Sequence, residues 1–85
     1  MFSEKPIERS INGFTIKVAK VSLPCEPVIS EHLNNGIEYS IVRESDGKIC
    51  RHATVHSDDS LMRFFINLES SLYNAIVKKE SWIED

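Results

Sequence analysis

Between residues 61 and 76, apolar side chains recur at intervals of three and four: Leu61, Phe65, Leu68, Leu72 and Ile76. That is the period of one helical face, and it predicts an amphipathic α-helix from about Ser57 to at least Lys79. Ser57 or Asp58 suits its N-cap, and Asp58 and Asp59 lie at the positive end of its dipole. Lys78 and Lys79 fall in a late turn, where positive charge is favourable. Neither proline nor glycine follows, and Trp82 and Ile83 return to the apolar stripe, so the pattern carries the helix onward past Lys79.

Upstream the period falls to two. Phe14, Ile16 and Val18 alternate with Thr15, Lys17 and Ala19, which predicts a strand. The apolar set then slips to Ala19, Val21 and Leu23, which calls for a bulge near Ala19-Lys20 or for cover on both faces. Pro24 and Pro27 end the strand. Residues 24–36 read either as a short helix starting at Pro27 or as an irregular loop, closed by a turn at Asn34-Asn35-Gly36. Residues 1–12 are mixed and polar, and Asn12-Gly13 is a turn signal.

A hairpin is predicted from Ile37 to Val55. Ile37, Tyr39 and Ile41 form one apolar row, and Ile49, Ala53 and Val55 the other. A three-residue loop with Gly47 in the left-handed conformation pairs Glu44 with Lys48, Ile41 with Arg51, Tyr39 with Ala53, and Ile37 with Val55. A two-residue Asp46-Gly47 turn shifts the pairing and mixes the faces. The expected fold is therefore α+β: a three-stranded antiparallel sheet in β-β-β-α order, with one long C-terminal helix packed on one face.

With 85 residues, one small domain is expected. The chain contains 41% hydrophobic and 27% charged residues, which fits a globular protein and argues against disorder. No apolar run approaches the roughly 20 residues that span a bilayer. No signal-peptide core opens the chain. A cytoplasmic protein with no membrane association is expected, with Cys25 and Cys50 as free thiols.

Charge sharpens the picture. Residues 1–51 are balanced, whereas residues 52–85 carry Arg63, Lys78 and Lys79 against Asp58, Asp59, Glu69, Glu80, Glu84 and Asp85, the whole net charge of −3. The order of strands and helix resembles, in topology alone, the C-terminal part of a double-stranded-RNA-binding domain. That family carries phosphate-contacting lysines at the helix start. Here Asp58 and Asp59 stand there and would repel phosphate.

Three functional readings compete. The leading one is a non-catalytic protein-interaction or regulatory protein that self-associates as a homodimer. Plotted at about 100° per residue, the helix has an apolar arc of roughly 220°, whereas an arc of about 100° is enough for one sheet. Met62, Ile66, Tyr73 and Val77 form the surplus, and Trp82 joins them as a candidate interface residue. Either the loop at 24–36 or the N-terminal arm covers that surplus, or a partner does. The second reading is a nucleic-acid-binding protein that uses the sheet, with Lys17, Lys20, Lys48 and Arg51 as a weak basic face.

The third reading is a zinc or thiol site at Cys25, His32, Cys50 and His52. Cys50 and His52, two apart on a strand, are expected on one face roughly 6–7 Å from each other, with His56 about 13 Å beyond His52 on that face. No C-x-x-C pair and no helical H-x-x-x-H supports a metal. A Cys25–His32 nucleophile pair lacks an orienting third group in the sequence. Phosphate-binding glycine loops and the glycines of a nucleophile elbow are absent from the sequence. No enzyme activity and no cofactor are expected. Compact, motif-poor chains of this kind are common among accessory and mobile-element proteins, an analogy only.

Overall fold

A computed structural model describes residues 5–22 and 35–84. The expected α+β class holds, with an antiparallel sheet and a C-terminal helix, but the sheet has four strands among these residues. They are β1 (Ile7–Ile11), β2 (Phe14–Ser22), β3 (Asn35–Arg43) and β4 (Ile49–His56), followed by helix α1 (Leu61–Lys78) and a short α2 (Ser81–Glu84). The strands lie in the order β1-β2-β3-β4, each antiparallel to its neighbour.

The extra strand is β1, which the polar run Glu8-Arg9-Ser10 disguises. It pairs Ile7 with Val18, Arg9 with Ile16, and Ile11 with Phe14. Asn12 and Gly13 form the two-residue turn, both with positive φ (50° and 85°), the geometry that Asn-Gly favours in hairpins. Opposed residues share a face, so Arg9 points to the helix side. Its guanidinium stands over the Phe65 ring at 5.5 Å. An edge strand tolerates such a charge because solvent lies beside it.

β2 and β3 pair without a break from Phe14–Arg43 to Ser22–Asn35, so no bulge interrupts Ala19-Lys20. Asn35 and Gly36 belong to β3 rather than to a turn. In the β3–β4 hairpin the expected pairs Ile37–Val55, Tyr39–Ala53 and Ile41–Arg51 are present. Nearer the turn the pairing changes. The ladder shifts between Ile41 and Val42, so Val42 opposes Ile49. The Arg43 N–H donates to the Lys48 carbonyl at 2.8 Å, and the Gly47 N–H donates to the Arg43 carbonyl at 2.8 Å. Arg43, not Glu44, thus faces Lys48. The loop is one residue longer than expected, and a bulge at Cys50 restores the register. Gly47 is left-handed as expected, with φ of 74°.

That loop is tied to its surroundings. The Glu44 N–H donates to the Gly13 carbonyl at 2.9 Å, and the Ser10 hydroxyl bonds to the Glu44 carboxylate. Arg43 donates from Nε and Nη2 to both carboxylate oxygens of Asp46, at 3.0 and 2.6 Å. These bonds, with one from the Lys48 N–H, hold the Asp46 carboxyl down at about 2.

α1 starts later than expected. Ser60 is the N-cap, with extended backbone, and its hydroxyl accepts the Arg63 N–H at 3.2 Å. Leu61, Phe65, Leu68 and Leu72 are buried as the spacing requires; Ala75 is buried with them, and Ile76 is half-buried. They pack on Phe14, Ile16 and Val18 of β2 and Ile37 and Ile41 of β3. The expected continuation past Lys79 does not occur. Lys79 is left-handed (φ 53°), and the Lys79 and Glu80 N–H groups donate back to the Ile76 and Ala75 carbonyls. This cap usually falls on glycine; a side chain there costs roughly 1 kcal/mol. The break turns α2 back toward the sheet, burying Ile83. Arg43 Nη1 donates to the Ile83 and Glu84 carbonyls, at 3.1 and 2.9 Å. Burial of apolar surface by Ile83 and Trp82 offsets the strained cap.

Candidate protein interface

Among the described residues, one side of α1 takes no part in the core. Met62 is 43% exposed, Ile66 50%, Tyr73 59% and Val77 68%. These values matter because the neighbouring stripe is closed: Leu61, Leu72 and Ala75 are fully inaccessible. At about 100° per residue the four exposed side chains fall within roughly 60° of each other, so they form one outward ridge along the helix. Phe64, on the other flank, is half-buried and packs on Tyr39 with ring centroids 5.5 Å apart.

Beside the ridge lies an open pocket of about 420 Å³, lined by Ile11 at the end of β1, Asn12 of the β1–β2 turn, and Glu69 and Tyr73 from α1, among others. The hydrophobic pattern does not reveal this pocket, because β1 lacks a clean alternation. The Asn12-Gly13 turn is the one local mark of β1.

Trp82 does not join the ridge. The turn at Lys79 carries it to the opposite flank, where it is half-buried beneath Arg51, whose guanidinium stands 4.0 Å from the ring centroid.

The four basic candidates are not brought together. Lys17 opposes Ser40 on the open face of the sheet. Lys20 shares the helix face with Phe14, Ile16 and Val18, and its Nζ donates to the Asp59 carbonyl at 2.6 Å. Arg51 opposes Ile41 and is also on the helix face. Lys48 follows the loop of the β3–β4 hairpin. Lys17 itself lies 4.0 Å from Glu8.

The bulge also separates Cys50 from His52. Cys50 is half-buried against the core, whereas His52 lies on the open face, with Nε2 3.8 Å from the Glu38 carboxylate. Ile49 is displaced in the same way: expected inward, it opposes Val42 on the open face and is 63% exposed. The expectation that Cys50 and His52 share a face is thus corrected by one inserted residue. Cys25 and His32, like the expected helix or loop around them, lie outside the described residues. Among the described residues no three His, Cys, Asp or Glu side chains come together as a metal site, and no helix is long and apolar enough to cross a membrane.

No protein-family model, no curated protein and no solved structure matches this chain.

Proposed function

We propose that this protein works by binding protein rather than by catalysis, that the outward ridge of α1 is its binding surface, and that it self-associates. One observation carries this reading: Met62, Ile66, Tyr73 and Val77 are each more than two-fifths exposed on one side of a helix whose core face is already complete without them. Small soluble domains seldom leave an apolar ridge bare, and contiguous patches of this sort mark contact surfaces. A tyrosine with apolar neighbours is typical of such contacts. Nucleic-acid binding by the open sheet face has weaker support. Of its four basic residues, Lys20 and Arg51 point to the helix side, and Lys17 has Glu8 beside it.

A photoreactive residue tests the surface whatever its partner is. Placed at Ile66, it should cross-link efficiently to bound protein. Placed at the exposed Ser71, on the other flank, it should give little product. Equal yields at the two positions would show that the ridge is not the contact surface.

A further inference from the structure

We infer that the occupant of the ridge is a second copy of this chain, its α1 antiparallel to the first, about a twofold axis between Glu69 and Ser70. This rests on the ridge being an interface. The ridge is palindromic: Met62 and Val77 lie equally far from the midpoint of residues 69 and 70, and so do Ile66 and Tyr73. A twofold contact requires a self-complementary surface. In the antiparallel arrangement Met62 meets the partner's Val77, and Ile66 meets the partner's Tyr73, a larger side chain against a smaller one in each case. The pocket beside Tyr73 then lies where the partner's Ile66 arrives.

Charge selects the same orientation. Exposed Asp58 and Asp59 precede α1, and exposed Lys78 and Lys79 end it. Antiparallel helices set each acidic end beside the partner's basic end and oppose the two helix dipoles. A parallel pair places like against like at both ends. One feature opposes the dimer: the two copies of Glu69 come close to each other across the axis. Four side chains from each copy make a small contact, in the class below about 1,200 Å² that associates weakly, so the dimer should be reversible and concentration-dependent.

Cross-linking with a short bismaleimide tests the orientation, in a Cys25→Ser/Cys50→Ser background. The proposal predicts that a mixture of the Met62→Cys and Val77→Cys variants, one of them carrying a mass tag, gives chiefly the mixed dimer, with little product from either variant alone. Chiefly like-with-like products would mean a parallel pair and overturn the inference. Absence of any dimer product would overturn it too; efficient cross-linking to a different protein from the photoreactive residue at Ile66 would then leave the ridge as an interface with another occupant. A second readout is independent of cysteine. Glu69→Gln should tighten self-association by about twofold, the effect of removing two like charges roughly 8 Å apart. Unchanged or weaker association in Glu69→Gln contradicts the axis.

Discussion

Phe65→Ala should lower the thermal midpoint of unfolding by at least about 12 °C. Phe65 is among the largest fully buried side chains and is 1% exposed. It lies in the core between α1 and β2, with Arg9 closing over its ring from the edge strand. Truncating a buried phenylalanine costs about 3–5 kcal/mol. A chain of 85 residues has only roughly 4–13 kcal/mol in total, and each kcal/mol shifts the midpoint of a domain this size by about 4–8 °C. Circular dichroism followed through a thermal ramp measures the change. A midpoint within 5 °C, on the order of a 1 kcal/mol loss, would mean that the helix does not close the core in this way. Ile66 lies one position along, yet it is half exposed. Ile66→Ala should therefore leave the stability of the monomer nearly unchanged.

The second large effect concerns α2. Ile83→Asp should detach it while leaving the sheet and α1 intact. Ile83 is 5% exposed, and an unpaired carboxylate is not tolerated there. Undocking is the cheaper response, because Lys79 already caps α1 with its own backbone bonds. The loss is roughly 3 kcal/mol, from exposing the Ile83 and Trp82 side chains. Trp82 is the only tryptophan, so its fluorescence reports the event directly. The emission should shift to the red as the ring leaves Arg51, with most of the far-ultraviolet dichroism retained. An unchanged emission maximum would show that α2 is not held through Ile83.

These two contrasting effects mirror what the sequence could and could not reveal. The core face of α1 was readable because a single rule, the 3.6-residue period, fixes which side chains point inward. The central part of the β3–β4 hairpin was readable because Ile37, Tyr39 and Ile41 admit only one register that keeps apolar residues together. β1 is not legible in the pattern because its helix-facing row is Ile7, Arg9 and Ile11, and a charge in the middle hides the alternation. Arg9 is acceptable there because β1 is an edge strand and the Phe65 ring lies beneath it, both long-range facts.

The bulge at Cys50 was hidden for a related reason. Loops of three and four residues both fit Glu44-Ser45-Asp46-Gly47, and what distinguishes them includes the tie from Glu44 to the β1–β2 turn. That one residue decides which way Ile49 and Cys50 point. The end of α1 was equally hidden, since a left-handed lysine carries no local mark. Burial of Ile83 favours that turn, and it removes Trp82 from the ridge to which simple periodicity assigns it. The ridge itself was visible in outline, because an apolar arc of roughly 220° is more than one sheet can cover. Its palindromic spacing was also in the sequence, and gained meaning once Trp82 was excluded.

Sedimentation equilibrium of the wild-type chain beside Ile66→Lys/Tyr73→Lys should show a reversible monomer–dimer equilibrium for the wild type, and a monomer at every concentration for the double variant, with native circular dichroism. A wild type that stays monomeric throughout, or a double variant that dimerises as well as the wild type, would contradict self-association through the ridge.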